Sequence, residues 1–323
     1  MRRLLALIAA ACLLLTACSH RQKPLSKSGF ALDTAITITL YDQADISLLE
    51  DCFKRIRTYE SLFSRTKTDS DIGRLNAADG EMVTVSEDTA SLLQRGLDFS
   101  ELTDGAFDVT IAPVSALWNF LAEKPAVPAQ EDLTAAAAAV GYAGLSVMDG
   151  SARLASPEMA VDLGGIAKGY IADRLAAYLR EAGVGSALLD LGGNIYVIGQ
   201  KEGADWTVGI RDPDDPDGLA ATLSVSDCAV ITSGSYERCF ERNGVRYHHI
   251  LDPATGWPVQ NGLASVTIVS KEAALGDALS TACFVLGKDK GLELIESLDG
   301  VEALFVGENG RITVSSGLTY TEK

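Results

Sequence analysis

Apolar residues recur at helical spacing along several segments of the chain. Within residues 44–61, Ile46, Leu49, Phe53 and Ile56 fall on one face, which is typical of an amphipathic helix. The same reasoning predicts helices from Ser86, as the N-cap, to about residue 102, over an alanine-rich run at 135–139, and over 166–181 and 272–286. For the last of these helices, we expect Ser270 to supply the N-cap and Gly287 to mark the end.

Shorter alternating or β-branched segments predict strands. They cover residues 36–40, 187–191, 195–198, 206–210, 265–269, 303–306 and 312–314. Asn243-Gly244 separates two further strand-like runs, 237–242 and 245–250, and this dipeptide favours a tight hairpin. Because hairpins and helices are mixed without strict alternation, we expect an α+β fold, with mixed or antiparallel sheets that carry helices on one face.

The first residues have the pattern of a secretory signal. Arg2 and Arg3 precede an apolar run over residues 4–15, which is shorter than the roughly 20 residues that a membrane-spanning helix needs. The run ends in LTAC, which resembles a bacterial lipobox and makes Cys18 the expected lipidation site. An ordinary signal peptide with an incidental cysteine is the alternative. We therefore expect a signal peptide at 1–17, a tether at 18–29, one domain at 30–320, and a lipid-anchored protein on the extracytoplasmic side of the cell membrane.

Composition restricts the possible partners of this 323-residue chain. Its formal net charge is −17, so it lacks the basic surface of a nonspecific nucleic-acid binder. An anionic substrate would have to be held by local features, such as a metal ion, a helix N-terminus or a few placed cations. Beyond Cys18, the cysteines Cys52, Cys228, Cys239 and Cys283 show no metal-binding spacing, which argues against zinc. Buried thiols are the default interpretation, and pairing of Cys228 with Cys239 stays open.

Two segments carry candidate chemistry. In VDLGGIAKGYIAD, residues 161–173, Asp162 is expected at a strand end, and a glycine pair then leads into a helix with Lys168 in its first turn. A helix N-terminus beside a lysine can bind an anion, although a plain strand-to-helix turn would look the same. In ALGDALSTA, residues 274–282, Asp277 and Thr281 share one helix face and suit a hard cation such as Mg²⁺. The alternative places Asp277 on the solvent face.

A third segment, HHILDPATG, begins at His248 and lies between those two in the chain. His249 could act as an acid, a base or a substrate contact, but a histidine beside a turn is more often structural.

These segments occur in an order that resembles the ApbE family of flavin transferases. Seven motifs carry the resemblance, between about residues 30 and 314: SRTKTDSDIGRLN, GAFDVTIAP, VDLGGIAKGYIAD, LLDLGGNIYVIG, TSGSYER, HHILDPATG and GDALSTA. The resemblance implies an ApbE-like fold with an FAD cleft between two subdomains. It also implies an enzyme, an FAD:protein FMN transferase, which moves FMN from FAD to a Thr or Ser hydroxyl of an acceptor protein and releases AMP with Mg²⁺ as cofactor.

The resemblance also implies roles for individual residues. Asp277, Thr281 and the backbone carbonyl of Gly165 would bind Mg²⁺, and His249 is a candidate catalytic base. FAD would contact Ala106, Phe107, Asp108, Asp162, Lys168 and Leu251. The family often has Met where Leu32 stands, and some members have an aromatic residue where Thr66 stands, so the flavin-ring and adenine contacts could differ here.

Two other functions remain compatible with the sequence. The same site could use water and hydrolyse FAD to FMN and AMP, or the chain could be a flavin-binding lipoprotein without turnover. If the chain is a transferase, the resemblance implies that the acceptor is a subunit of a membrane redox complex, exposed on the outer face.

Overall fold

The computed structural model of the protein describes residues 23–120 and 122–323. The predicted signal peptide and the proposed lipidation site, Cys18, lie outside these residues. Within the described ranges, no helix is both long enough and apolar enough to cross a bilayer.

An eight-stranded sheet forms the centre of the molecule. The strands of this sheet are β1 (Leu25–Ala31), β2 (Thr34–Leu40), β6 (Ala187–Leu191), β7 (Ile195–Ile198), β10 (Cys228–Gly234), β13 (Leu263–Ser270), β14 (Val301–Gly307) and β15 (Ile312–Val314). Their order in the sheet is β1-β2-β6-β7-β10-β13-β14-β15, and every neighbouring pair is antiparallel. The strands predicted in these regions are confirmed, with ends that differ by a few residues.

The remaining strands of the described residues form three smaller sheets. Strands β3 (Val83–Thr84), β4 (Leu145–Met148) and β5 (Ser151–Leu154) form one, and β8 (Trp206–Arg211), β9 (Leu219–Val225) and β16 (Thr321–Glu322) form another. β11 (Cys239–Arg242) and β12 (Val245–His248) form the hairpin predicted around Asn243-Gly244. Asn243 has a φ of 54° and Gly244 a φ of 78°, the left-handed backbone that a two-residue hairpin turn requires.

The helices alternate irregularly with these strands. They are α1 (Ile46–Phe63), α2 (Asp71–Asn76), α3 (Glu87–Leu102), α4 (Ala112–Trp118), α5 (Gln130–Ala138), α6 (Ala167–Glu181), α7 (Ala273–Leu286) and α8 (Lys288–Glu296). α3 begins at the predicted cap, because the Ser86 side chain accepts a hydrogen bond from the Thr89 amide. α7 ends at Gly287, which has a φ of 79°.

Helices cover one face of the central sheet, and a small sheet covers part of the other. Because side chains alternate along a strand, Ile231 of β10 faces a core shared with α1, α6 and α7, whereas Val230 faces the opposite side. On that opposite side, Val230 packs in an apolar cluster with Trp206 and Leu223 of the β8–β9 sheet. The predicted α+β class is confirmed, with helices on one face and a small sheet on part of the other.

Three local predictions are wrong. The tether was expected to reach residue 29, but residues 25–29 belong to β1, where Ser26 and Ser28 hydrogen-bond to Thr39 and Thr37 of β2. Asp162 does not end a regular strand, because the chain before it forms only an isolated bridge at Ala160. Ser270 does not cap α7: β13 runs through Ser270, and the residue at the cap position is Glu272.

The cysteines of the described chain are free thiols. Cys52, Cys228 and Cys283 are buried, as expected, and Cys239 is half-buried and unpaired with Cys228. Burial raises the pKa of Cys52 and Cys283 to about 12 and that of Cys228 to about 11. These three thiols are therefore protonated and unreactive at neutral pH.

Candidate active site

The N-terminal ends of α6 and α7 meet at the centre of the candidate site. Gly169, in the first turn of α6, allows this contact because a Cβ there would lie 2.3 Å from the carbonyl oxygen of Ala273. Neither helix has a capping side chain from its own N-cap residue. The free amide groups at these ends are therefore available to groups from elsewhere in the fold.

Asp277 is buried at this contact, with 5% of its surface exposed. One carboxylate oxygen, Oδ2, accepts a hydrogen bond from the Gly169 amide at 2.9 Å, and Oδ1 accepts one from the Asn194 side-chain amide at 2.9 Å. The solvent-facing alternative for Asp277 is therefore wrong. Each oxygen keeps further acceptor capacity, so the carboxylate can bind a cation while it holds both donors.

Thr281 follows Asp277 by about one turn of α7 and is half-buried. A Cβ on Gly165 would lie 3.8 Å from the Thr281 hydroxyl, so these two residues are neighbours. The three predicted metal residues thus offer a carboxylate, a hydroxyl and a backbone carbonyl in one region. This all-oxygen set fits Mg²⁺, which binds few protein groups and completes its shell with water and phosphate oxygens.

Asn194 is a site residue that the sequence reasoning missed. It follows β6 and the glycine pair Gly192-Gly193, and it is 1% exposed. Its side-chain nitrogen donates to Asp277, and its oxygen accepts a hydrogen bond from Lys168 Nζ at 3.2 Å. This amide therefore links the candidate metal ligand to the candidate phosphate-binding lysine. The signal in the sequence was its position after a glycine pair that resembles the one at residues 164–165.

Lys168 lies in the first turn of α6, as predicted, and is half-buried. Asp162 lies just before this helix and accepts hydrogen bonds from the Gly164 amide at 2.9 Å and the Ser115 hydroxyl at 3.0 Å. Arg65 forms an ion pair with the same carboxylate at 3.0 Å. Asp162 is thus held by three donors, and it brings one further cation, Arg65, to the region.

Residues 106–108 pack against the glycine pair. A Cβ on Gly165 would lie 3.1 Å from the Phe107 ring, and the Asp162 amide donates to the Val109 carbonyl. The Asp108 carboxylate is buried and accepts hydrogen bonds from the Thr110 amide and hydroxyl and from the Tyr142 amide. Asp108 therefore shapes its own loop through its side chain.

Leu251 is buried in a separate apolar cluster with Val114, Trp118 and Leu133. The next residue, Asp252, lines a shallow groove of about 280 Å³ together with Ala106. The structure thus places the 251–252 segment beside the 105–106 segment, while the Leu251 side chain itself supports packing against α4 and α5.

His249 lies after β12 and is half-buried. Its Nδ1 atom is inaccessible to water and has no hydrogen-bond partner within the described residues. Burial, together with repulsion from Arg238, His248 and Lys168, lowers the pKa of His249 to about 3. The imidazole is therefore neutral at pH 7. His248, in contrast, is structural, because its Nε2 contacts the Val259 carbonyl oxygen at 2.8 Å and its Nδ1 accepts from the Ile250 amide.

The fold and this site define a family. A family model described as the ApbE family matches residues 32–305, and the chain belongs to that family. Solved structures agree: the ApbE protein of Thermotoga maritima has a TM-score of 0.84 at 35% identity, covering 91% of this chain and 97% of the other. The flavin transferase ApbE of Vibrio cholerae has a TM-score of 0.83 at 30% identity, with the same coverage.

Two curated relatives share the name FAD:protein FMN transferase. A protein of Treponema pallidum named FAD:protein FMN transferase is 38% identical over 320 residues, which cover 92% of this chain and 88% of the relative. A Klebsiella pneumoniae protein of the same name is 37% identical over 295 residues, or 90% of this chain and 92% of the relative. The resemblance expected from the seven motifs is therefore confirmed.

Proposed function

We propose that this protein is an FAD:protein FMN transferase that moves FMN from FAD to a Thr or Ser hydroxyl of an acceptor protein and releases AMP, with Mg²⁺ bound at the site. The names of its relatives support the flavin transfer. The observation that carries the finer proposal is the buried link from Lys168 through Asn194 to Asp277, next to Gly165 and Thr281. This arrangement combines a cation, a helix N-terminus and hard oxygen ligands, which a diphosphate with a bound divalent cation requires.

Charge neutralisation is the main task of the proposed site. Asp277, Thr281 and the Gly165 carbonyl would hold Mg²⁺, which supplies positive charge to phosphate oxygens when it is bound. Lys168 and the N-terminus of α6 add positive potential from the protein. Phosphoryl-group transfer depends largely on such positioning and electrostatic stabilisation, so the site needs no covalent nucleophile of its own.

The proposed reaction forms one bond, breaks one bond and releases one proton. The acceptor hydroxyl oxygen forms a bond to the phosphorus on the FMN side, the bond from that phosphorus to the AMP oxygen breaks, and the hydroxyl proton is released. His249 is our candidate to receive that proton, because its imidazole is neutral and lies near Lys168. A pKa of about 3 makes it a weak base in the free protein. The negative charge of bound FAD beside Lys168 would raise that pKa towards the useful range.

The test of this function uses FAD, Mg²⁺ and a candidate acceptor protein. We expect flavin fluorescence on the acceptor band in a denaturing gel and one AMP released for each FMN attached. Asp277→Ala should abolish both signals. Free FMN without labelled acceptor would instead indicate hydrolysis of FAD, and FAD binding with no AMP release under any condition would indicate a flavin-binding protein without turnover.

We also propose that Cys18 carries a lipid that anchors the enzyme on the extracytoplasmic face of the cell membrane, where its acceptor would be a membrane redox subunit. The signal-like residues 1–17 support this proposal. Cys18→Ser should move the protein from the membrane fraction to the soluble fraction. Continued membrane retention of that variant would contradict the anchor.

A further inference from the structure

The N-terminus of α7 is capped by a residue from another helix. The amides of Ala273 and Ala274, the first two residues of α7, donate to Oδ1 and Oδ2 of Asp173 at 2.8 and 2.9 Å. Asp173 lies on α6, about a hundred residues earlier in the chain. Its carboxylate therefore performs the role that was expected of Ser270.

Asp277 makes the converse contact. It lies on α7 and accepts a hydrogen bond from the Gly169 amide in the first turn of α6. Each helix thus supplies the carboxylate that satisfies amide donors at the N-terminus of the other. Together with the close backbone contact at Gly169, these reciprocal caps leave little freedom for one helix to slide or rotate against the other.

We propose that Asp173 is a positioning residue for the metal site, because it fixes the register of α7 on α6 and so places Asp277 and Thr281 opposite Gly165. This inference rests on the proposed function, since it concerns the same Mg²⁺ ligands. Asp173 has its hydrogen bonds to the first turn of α7, and Asp277 lies one turn further along the same helix. A shift of that first turn is therefore transmitted to the ligands through a rigid element.

Neighbouring charges do not replace this cap. Arg95 and Glu272 form an ion pair beside the start of α7, but Glu272, the N-cap residue, makes no side-chain capping bond to the helix amides. If Asp173 is removed, the amides of Ala273 and Ala274 lose their acceptor at a buried site, and the helix end must move or admit water. Either response displaces the following turn.

The experiment compares Asp173→Ala and Asp173→Asn with wild type and with Glu181→Ala, which removes an exposed carboxylate from the same helix. Mn²⁺ serves as the probe, titrated into protein saturated with FAD without acceptor, and free Mn²⁺ is measured by its paramagnetic resonance signal. We expect Asp173→Ala to weaken Mn²⁺ binding about tenfold or more, as losses of groups that orient metal ligands commonly do. Asp173→Asn, which keeps one acceptor oxygen, should lose less, and Glu181→Ala should match wild type.

Amide hydrogen exchange over residues 273–274 reports the cap directly and should be faster in Asp173→Ala. Unchanged Mn²⁺ affinity, within twofold, in a folded variant whose exchange is faster would overturn the inference and show that the cap is only structural. If Asp173→Ala does not fold, the same criterion applies to Asp173→Asn. If the Asp277→Ala variant binds Mn²⁺ as tightly as wild type, the proposed metal site is overturned, and with it this inference.

Discussion

Gly169 offers the sharpest test of the helix contact at the site. In Gly169→Ala, the new Cβ would lie 2.3 Å from the Ala273 oxygen, 2.6 Å from its carbonyl carbon and 2.8 Å from the Ala274 Cα. All three atoms are backbone, so no side-chain rotation relieves the overlap. To reach an ordinary contact distance, α6 and α7 must separate by about 1 Å.

This separation should reduce the rate of FMN transfer far more than it reduces the stability of the fold. Alanine normally stabilises a helix by about 1 kcal/mol relative to glycine, whereas overpacking of a core costs about 1–3 kcal/mol. The net loss of unfolding free energy should therefore be small, about 0–2 kcal/mol. A displacement of about 1 Å between catalytic groups can cost about a hundredfold in rate, so FMN transfer should fall by roughly that factor.

The assay measures kcat/KM for acceptor flavinylation over a Mg²⁺ titration, together with unfolding in urea. The control is Gly291→Ala in α8, where the new Cβ would lie 3.1 Å from the Cys283 oxygen and from the Phe305 ring, so only a few tenths of an ångström must be accommodated. The control should keep activity within about threefold. If Gly169→Ala retained wild-type activity and Mg²⁺ dependence, the positioning of Asp277 through this contact would be refuted.

Four further changes probe the site. Thr281→Ala should raise the Mg²⁺ concentration needed for half-maximal activity about tenfold and leave the urea midpoint nearly unchanged; an unaltered metal titration would count against Thr281 as a ligand. Asn194→Ala removes the amide between Lys168 and Asp277 and should lower both FAD and Mg²⁺ affinity, measured by flavin fluorescence and Mn²⁺ titration, whereas a purely structural role predicts a loss of stability alone. His249→Asn should reduce FMN transfer about a hundredfold with FAD binding kept, and equal losses of both would argue against a role as base. Asp173→Asn should remove a pH dependence of unfolding. Burial raises the pKa of Asp173 from 3.8 to about 6, although hydrogen bonds from the Ala273 and Ala274 amides and the charge of Arg95 oppose the shift. Because the folded protein holds this proton more tightly than the unfolded chain, wild-type stability should fall by about 2 kcal/mol as pH rises from 4 to 6, and an unchanged slope in the variant would contradict this.

Local sequence patterns were sufficient for much of the fold. The helix at 166–181, the hairpin at Asn243-Gly244 and the end of α7 at Gly287 each depend on nearby residues, and the structure confirms them. The pairing order of the central sheet could not be obtained in this way. It joins β2 to β6 and β10 to β13, and such long-range pairs leave no mark in a short window.

The candidate site likewise combines features that local sequence predicts with features that depend on distant segments. The pattern Asp277–Thr281 on one helix face was visible in the sequence, and so was Lys168 at a helix start. The burial of Asp277 and its two donors was not, because Gly169 and Asn194 come from distant segments. The expected cap at Ser270 failed for a related reason: the acceptor that α7 uses is Asp173, which only the packing of α6 brings within reach.

The early start of β1 limits how far a lipid on Cys18 could lie from the central sheet. Since β1 begins at Leu25, the chain from Cys18 to that strand could reach at most about 25 Å, even if it were fully extended. With a lipid on Cys18, the edge of the central sheet would stay within that distance of the bilayer surface. The domain would then be held beside the membrane, with no long linker on which it could move away from the lipid surface.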